Sequence, residues 1–253
     1  MSTAEYDVRL PKAGETSFDQ DQEWCEILID GEPRRIRFHD YDEIYSIPGL
    51  YEHLFYELLE CDSPRAVTAL LGQELRDRGR EAGDLRVLEV GAGNGMVAAE
   101  LVELGVRSIV GVDIIEEAAM AAERDRPGIY DDYKILDLTA IPADTGRELQ
   151  GHGFNCMVTV AALGFGDIPP DAFANAYNFV EPGGLVAFNI KEDFLADADG
   201  SGFSKLIQAG LRDGALEIRA EERYRHRLSI AGEPLHYVAI IGEKRSDLPV
   251  TGA

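Results

Sequence analysis

The sequence predicts an α/β protein built on a mostly parallel sheet with helices on both faces. From Leu85 onward, short apolar segments alternate with helical segments, a pattern typical of a parallel sheet. The chain then ends in two β-rich segments, residues 218–230 and 235–242. They are separated by Ala231-Gly232-Glu233-Pro234, which predicts a terminal antiparallel hairpin.

The composition is that of a folded, acidic protein. Of 253 residues 45% are apolar, and 24 Lys and Arg against 47 Asp and Glu give a formal net charge of −23. This charge disfavours DNA or RNA as a partner, because phosphate backbones attract basic surfaces.

Apolar runs such as residues 185–188 are too short to cross a bilayer, and residues 1–22 do not resemble a signal peptide. We therefore expect a cytoplasmic protein without a membrane partner. The three cysteines match neither a disulfide framework nor a zinc site, so no metal is expected.

The N-terminal part is predicted to place a hairpin and helices in front of the sheet. Residues 1–22 are polar and without periodicity, which predicts a loose acidic tail. Residues 24–29 and 35–38 flank Asp30-Gly31-Glu32-Pro33, in which Asp-Gly is a strong hairpin signal. A tyrosine-rich helix is predicted over residues 51–60, and Pro64 begins another that runs to Arg78.

Five strands of the main sheet follow, with helices between them. The strands are predicted over residues 86–90, 108–112, 133–136, 156–161 and 185–190. The helices are predicted over residues 95–104, 116–124, 171–180 and 201–212, with Pro170 at the start of the third. We divide the chain into a flexible acidic tail (1–22), an N-terminal hairpin and helical cap (23–80), a main domain (81–245) and a C-terminal tail (246–253).

The strongest functional signal is a strand that ends in a glycine-rich turn, Val87-Leu88-Glu89-Val90-Gly91-Ala92-Gly93-Asn94-Gly95. Such glycines let a ligand approach the backbone, and the first N–H groups of the following helix are unpaired. Asp113 ends the next strand, where a carboxylate in a doubly wound sheet meets two ribose hydroxyls. Asp137 ends the third strand, where an adenine edge would lie. Together these strand-end signals predict a nucleoside-binding site.

The glycine spacing favours S-adenosylmethionine over a dinucleotide. The dinucleotide fingerprint G-x-G-x-x-G needs a third glycine where this chain has Met96. Glu89 would repel a pyrophosphate but suits a cationic ligand. An NAD(P)-dependent oxidoreductase shares the first half of the fold and stays an alternative.

Over residues 85–244 the sequence resembles the class I S-adenosylmethionine-dependent methyltransferases. The segment from Glu89 to Gly95 is similar to that family's first motif, E/D-x-G-x-G-x-G, and Asp113 to its second-strand acid. Asp137-Leu138 resembles the pair that contacts adenine. Asn155-Cys156-Met157-Val158-Thr159-Val160-Ala161-Ala162-Leu163 is similar to the fourth-strand motif, with Asn155 in place of the usual Asp.

The resemblance implies a Rossmann-like, seven-stranded sheet in the order 3-2-1-4-5-7-6 with strand seven antiparallel. It also implies that the N-terminal hairpin and helical cap are those of small-molecule members, that residues 81–245 are the methyltransferase domain, and that S-adenosyl-L-methionine is the cofactor. The implied cofactor-binding residues are Glu89, Gly91, Ala92, Gly93, Asp113, Ile114, Asp137, Leu138 and Ala161.

The methyl acceptor is expected beyond the carboxyl ends of the strands, where the strand order reverses. The candidate acceptor-binding residues there are Tyr51, Phe165, Asn189 and Lys191, and Tyr45 and His226 are candidates for a catalytic role. We expect an O or N acceptor on a small molecule and a monomer or homodimer. A non-catalytic S-adenosylmethionine-binding protein is the alternative outside enzymes.

Overall fold

The computed structural model describes residues 7–11, 20–29, 31–163, 167–192 and 202–250. Its strands are β1 (Val8–Arg9), β2 (Trp24–Ile29), β3 (Glu32–Arg37), β4 (Arg86–Val90), β5 (Ser108–Asp113), β6 (Asp132–Ile135), β7 (Cys156–Thr159), β8 (Leu185–Lys191), β9 (Leu216–Leu228) and β10 (Pro234–Lys244). Its α-helices are α1 (Tyr41–Ser46), α2 (Leu50–Glu52), α3 (Ser63–Asp77), α4 (Met96–Leu104), α5 (Glu116–Asp125), α6 (Ala143–Gly151), α7 (Pro170–Asn178) and α8 (Phe203–Arg212).

The main sheet has seven strands in the order β6-β5-β4-β7-β8-β10-β9. Numbered along the chain, this is the predicted order 3-2-1-4-5-7-6. The first five strands run parallel, while β10 is antiparallel to both β8 and β9. The predicted fold class and the terminal hairpin are therefore confirmed.

Both faces of the main sheet are buried, as its apolar strands predict. Because side chains alternate along a strand, Val87 of β4 faces one apolar core and Leu88 and Val90 face the other. The core on the Val87 side includes side chains of α3 and α4. The core on the opposite side includes Leu149 of α6 and Phe173 of α7.

A small N-terminal sheet, β1-β2-β3, is antiparallel and has an apolar cluster of its own. The hairpin is present, but β3 begins at Glu32 rather than at residue 35. Since Ile29 pairs with Glu32, a two-residue turn joins the strands. Gly31 supplies the positive φ of 84° that this turn requires, and Asp30 lies outside the described residues.

Both predicted tails contain residues that pack on the fold. Val8 pairs with Ile27 and lies against the N-terminal cluster, so residues 8–9 form a strand inside the segment predicted as a loose tail. Leu248 is buried against the main core, and its N–H donates a hydrogen bond of 2.9 Å to Asn178. Neither contact with the fold was predicted, because each involves only one or two apolar side chains, and these show no periodicity in the sequence.

The helices differ from the sequence prediction in three places. The helix predicted over residues 51–60 is α2 followed by a π-helical turn, His53–Leu58. The short α1 was not predicted. Nor was α6, in which Leu149 is the buried residue and two glycines weaken the helical pattern.

α3 lies in the segment predicted as the N-terminal cap but packs with α4 on the main sheet. The division of the chain at residue 80 stays a prediction. Among the described residues, no helix is both long and apolar enough to span a membrane.

A buried ion pair connects the N-terminal sheet to β9. Glu23, which precedes β2, accepts a hydrogen bond from Arg227, and both side chains are at least 95% buried. The other oxygen of Glu23 accepts the N–H of Ile230 at 2.9 Å. Removing the charge of Glu23 leaves a buried guanidinium without a counter-charge.

We expect Glu23→Gln to lower the free energy of unfolding by about 3–5 kcal/mol, measured by urea denaturation. The control is Glu192→Gln, which removes the exposed partner of Arg223 at 3.0 Å and should cost less than about 1 kcal/mol. Adding Arg227→Met to Glu23→Gln should recover part of the loss. A cost for Glu23→Gln no larger than that of the control would contradict this account.

Candidate active site

The main cavity lies at the carboxyl ends of the central parallel strands and has a volume of about 260 Å³. This is the edge at which open α/β sheets bind ligands. Its walls come from the segments that follow β4, β5, β6 and β7, from the start of α7, and from the N-terminal cap. The lining residues are His39, Tyr41, Tyr45, Tyr51, Val90, Gly91, Val112, Asp113, Ile114, Ile115, Leu136, Asp137, Leu138, Val160, Ala161, Ala162, Asp167, Ile168, Pro169 and Ala172.

In the glycine-rich turn after β4, the backbone lies very close to neighbouring side chains. Gly91 and Gly93 have positive φ values of 68° and 54°. A Cβ atom on Gly93 would lie 2.5 Å from the hydroxyl oxygen of Tyr45, and one on Gly91 would lie 2.9 Å from the Cβ of Ala162. Both positions therefore require glycine for conformation and for space.

Asp113, at the end of β5, holds this turn in place. One carboxylate oxygen accepts the N–H of Gly93 at 2.9 Å, and the other accepts the N–H of Ile115 at 3.0 Å. Burial raises the pKa of Asp113, although these N–H groups favour the ionised form. The carboxylate thus lies at the cavity wall where the sequence predicts it, and its neighbour Ile114 is 62% exposed there.

Glu89 is a buried acid directly below the glycine turn. One oxygen accepts a hydrogen bond of 3.2 Å from Tyr130, whereas the other has no partner among the described residues. Burial raises the pKa of Glu89 to about 8, and the charge of Asp113 adds to this effect. An acid with this pKa is mostly neutral at pH 7, and a cationic group beside it would favour its ionised form.

The third strand contributes two residues of different character. Leu138 is buried, whereas the carboxylate of Asp137 is exposed and accepts hydrogen bonds from the backbone and side chain of Thr139 at 2.8 and 2.7 Å. These bonds lower the pKa of Asp137. Both residues line the main cavity.

A second cavity of about 40 Å³ adjoins the first beneath the N-terminal cap. The two share lining from His39, Tyr41, Tyr51, Ala161 and Asp167. The remaining walls of the second cavity are Gln20, Phe38, Phe55, Cys61, Leu163, His226, Arg227 and Tyr237.

His39 and Asp167 meet at the boundary of the two cavities. Nδ1 of His39 lies 3.2 Å from a carboxylate oxygen of Asp167, and both side chains are partly accessible. The sequence analysis did not identify either residue. They are 128 positions apart, and neither stands in a recognisable motif.

The catalytic candidate Tyr45 and the acceptor-binding candidate Tyr51 belong to a cluster of aromatic rings. Their ring centroids are 4.8 Å apart, and Tyr41 and Phe55 extend the cluster on either side. Burial raises the pKa of Tyr45 well above its usual range. The cluster forms the face of the cap over the main cavity.

Asn189 and His226 belong to one network of buried polar side chains. Of the two, only His226 lines a cavity. The amide of Asn189 accepts the N–H of Ala161 at 2.7 Å and donates to Ser63 and Tyr224 at 3.2 and 2.6 Å. The hydroxyl of Ser63 lies 2.6 Å from Nδ1 of His226, which lines the second cavity. Burial holds the pKa of His226 well below its usual range, and the charge of Arg227 has the same effect.

Ala161 ends the fourth strand earlier than predicted. Its φ of 56° is left-handed, so β7 stops at Thr159 instead of residue 161. The hydrogen bond that the Ala161 N–H donates to Asn189 holds this conformation at the junction of the cavities. Asn189 therefore supports the site from behind, although the sequence suggested contact with the acceptor.

The remaining candidates lie at the margin. Lys191 is the last residue of β8, where it pairs with Tyr237 of β10 and is partly buried. Phe165 lies outside the described residues.

Comparison with known proteins gives one family. A family model described as a methyltransferase domain matches residues 52–227, more than half of the chain. No curated protein matches the sequence significantly.

Many solved structures share the fold. The magnesium protoporphyrin IX methyltransferase of Synechocystis, solved with S-adenosylmethionine bound, is 13% identical, with 72% of this chain and 79% of that chain covered and a TM-score of 0.50. A candidate RNA methyltransferase from Pyrococcus horikoshii is 14% identical, with 72% and 85% covered and the same TM-score. The N-methyltransferase NodS of Bradyrhizobium japonicum is 17% identical, with 72% and 96% covered and a TM-score of 0.49.

The raised pKa of Glu89 predicts a pH-dependent stability. The folded protein keeps this proton up to about pH 8, whereas an unperturbed glutamate loses it near pH 4.5. The free energy of unfolding therefore falls as the pH rises between these values. We expect Glu89→Gln to stabilise the ligand-free protein at pH 8 by a few kcal/mol, roughly 5–10 °C in Tm, and by much less at pH 5.

The control is Glu123→Gln on the exposed side of α5, which should leave the Tm unchanged at both pH values. Thermal melts of the three proteins at each pH make the comparison. Equal changes in Tm for the two substitutions at pH 8 would mean that ionisation of Glu89 does not lower the free energy of unfolding.

Proposed function

The chain belongs to the class I S-adenosylmethionine-dependent methyltransferases, and from this premise we propose that it methylates an oxygen or nitrogen atom of a small molecule. Family membership sets aside the oxidoreductase and the non-catalytic alternative. S-adenosylmethionine is the cofactor. When bound, it supplies a methyl group on a positively charged sulfur, which an electron-rich atom of the acceptor can accept directly.

The residues that line the main cavity, and those of β4 and the glycine turn next to it, suit this cofactor. We assign Asp113 to the ribose hydroxyls and assign Ile114 and Leu138, with Asp137 at the edge, to the adenine. The unpartnered oxygen of Glu89 suits the cationic amino group of the methionine part. The backbone of Gly91, Ala92 and Gly93 and that of Ala161 would complete the cofactor-binding surface, and Gly91 and Ala161 line the main cavity.

The second cavity is the observation that carries the proposal of a small acceptor. It adjoins the main cavity, and its described walls are mostly the aromatic and polar side chains of the N-terminal cap and the terminal hairpin. A volume of about 40 Å³ admits a small chemical group beneath the cap. Tyr51 lines both cavities, as expected for a residue that contacts the acceptor near the methyl group.

The net charge supports the same proposal. A chain with a formal charge of −23 repels a phosphate backbone, so RNA and DNA are unfavourable acceptors. The fold does not distinguish these acceptors, because the similar structures include enzymes named for a porphyrin and for RNA.

Asp113 tests the cofactor assignment. We expect Asp113→Asn to weaken the affinity for S-adenosylhomocysteine by about tenfold to several hundredfold, because charged hydrogen bonds contribute about 1.5–3 kcal/mol each. Asparagine is preferred to alanine because it keeps an acceptor for the N–H of Gly93 or Ile115. Calorimetric titration measures the affinity, with the exposed Asp213→Asn as control. Unchanged affinity in Asp113→Asn would contradict the assignment.

The acceptor class is tested by where a labelled methyl group goes. The protein is incubated with methyl-labelled S-adenosylmethionine and, separately, with an ultrafiltered metabolite extract, total RNA and a protein extract. We expect label in the small-molecule fraction. Label confined to RNA or protein would overturn the small-molecule proposal while leaving the methyltransferase assignment intact.

The second cavity can be filled to check that it holds the acceptor. Cys61 lines it, so Cys61→Met should reduce small-molecule labelling at least tenfold without changing affinity for S-adenosylhomocysteine. Cys61→Ser, which keeps the volume, is the matched control. Equal activity of the two variants would place the acceptor elsewhere.

A further inference from the structure

Gln20 is a wall residue of the second cavity whose hydrogen-bonding groups are satisfied only in part. It is 91% buried, and its Nε2 donates a hydrogen bond of 3.1 Å to the hydroxyl oxygen of Tyr237. Its Oε1 has no hydrogen-bond partner among the described residues. A buried carbonyl oxygen without a donor costs free energy, so such atoms are uncommon in folded proteins. The unpaired oxygen therefore indicates a donor that the chain itself does not supply.

Gln20 is held in this position from both sides. It begins a short 3₁₀ turn, Gln20–Gln22, that leads into β2. The residue after this turn, Glu23, forms the buried ion pair with β9, and its carbonyl oxygen accepts the N–H of Phe38 at 3.0 Å. Tyr237 is a buried residue of β10, which pairs with β8 and β9. The amide is thus part of a fixed wall between the N-terminal sheet and the terminal hairpin.

We propose that Gln20 determines acceptor specificity, because its Oε1 accepts a hydrogen bond from a hydroxyl or amino group that the acceptor carries in addition to the atom that is methylated. This inference rests on the proposed function and specifies the chemistry of its acceptor. The donor group occupies the second cavity, while the methylated atom lies at the boundary that Tyr51 and Ala161 share with the main cavity. Gln20 is then a specificity-determining residue and takes no part in the transfer itself.

The size of the second cavity limits what enters it. A cavity needs a volume of about 10–15 Å³ to hold one water molecule. The second cavity has about 40 Å³. It therefore admits a hydroxyl or amino group together with the carbon that bears it, whereas the rest of the acceptor lies towards the main cavity.

The charges of the cavity favour such a donor over an anionic group. Asp167 is the only acidic residue among the described walls, and its carboxylate repels a carboxylate or phosphate on the acceptor. Arg227 is the only lysine or arginine among them. Its terminal nitrogens already donate to Glu23 and to the carbonyl oxygen of Leu228. A neutral or cationic donor is therefore the group that these walls accept.

The apolar part of the walls makes the hydrogen bond selective. Phe38, Phe55 and Leu163 line the cavity together with the tyrosines of the cap. In such surroundings a hydrogen bond is stronger than in water, and an unpaired polar group is more costly. An acceptor without the donor would cover Oε1 of Gln20 and leave it unpaired. Sites of this kind reject an analogue that lacks the bonded group far more strongly than apolar pockets reject a missing methyl group.

The neighbouring polar residues of this wall are bound within the fold. The ring of His226 stacks on that of Tyr237, with the centroids 4.1 Å apart, and its Nδ1 lies 2.6 Å from the hydroxyl oxygen of Ser63. The same oxygen lies 2.7 Å from the hydroxyl oxygen of Tyr224. These contacts fix the ring of Tyr237 and, through its hydroxyl, the amide of Gln20.

The first test is Gln20→Met in the full-length protein, because methionine keeps the approximate length of the side chain and removes both polar ends. We expect it to lower methyl transfer from labelled S-adenosylmethionine into the ultrafiltered metabolite extract by about tenfold to a hundredfold. Its affinity for S-adenosylhomocysteine should stay within about twofold of the wild type. Its Tm should stay within about 3 °C, since the substitution removes the unpaired oxygen along with the bond to Tyr237.

The matched control is Gln22→Met. Gln22 belongs to the same turn but is exposed and lines neither cavity, so this variant should keep the wild-type label transfer, affinity and Tm. An equal loss of label transfer in both variants would mean that any change in this turn impairs the protein, and would overturn the proposal. So would a fall of about 10 °C or more in the Tm of Gln20→Met with a matching loss of affinity for S-adenosylhomocysteine, because Gln20 would then be a structural residue.

The second test uses the acceptor itself. The labelled product of the wild type is isolated from the extract and identified by mass spectrometry and NMR. We expect it to carry a hydroxyl or N–H group apart from the methylated atom. The kcat/KM of the wild type should fall at least about tenfold for an analogue in which hydrogen replaces that group, whereas Gln20→Met should use both compounds within about threefold.

These outcomes decide the inference separately from the proposed function. Full label transfer by Gln20→Met would mean that a water molecule alone satisfies the oxygen. That result, a product without a second donor group, or equal discrimination by both proteins overturns the role of Gln20 and leaves the small-molecule proposal standing. Label that enters only RNA or protein overturns the small-molecule proposal and this inference with it.

Discussion

The site depends on the tight packing around the backbone of Gly93. Its N–H is bound by Asp113, its carbonyl oxygen accepts a hydrogen bond of 2.9 Å from Tyr133, and its Cα faces the hydroxyl of Tyr45. The turn is thus held by β5, by β6 and by the cap at a point where no side chain fits. Because Gly91 of the same turn lines the main cavity, the shape of that cavity and the docking of the cap depend on one stretch of backbone.

Polar contacts beside this turn hold the cap in place against the glycine turn and α5. Glu52 of α2 accepts hydrogen bonds from Asn94 and Arg126 at 3.0 and 2.8 Å, and Arg124 donates to the carbonyl oxygen of Tyr45 at 3.0 Å. These bonds join the cap to the glycine turn and to the end of α5. The cap therefore belongs to the architecture of the site, and the second cavity beneath it is made by two parts of the chain.

What could be predicted from the sequence was what is encoded locally. The glycine turn, Asp113 and the terminal hairpin each follow from a short pattern, and the strand order followed from the family resemblance that these patterns carry. The π-helical turn and α6 lack such a pattern. His39 and Asp167 were missed because their meeting depends on how the cap docks, and Asn189 was taken for a contact residue because a strand end does not reveal which way an amide points.

Ala161 shows how a side chain distant in sequence can make a loop rigid. An alanine in the left-handed region costs about 1 kcal/mol or more, which the buried amide of Asn189 offsets through its bond to the Ala161 N–H. Glycine would adopt this conformation freely, but it would also populate others. With alanine, the backbone at the junction of the cavities has one conformation supported by its surroundings and no equivalent alternative. Asn189 thereby fixes the backbone at the junction of the cavities, although it lines neither of them.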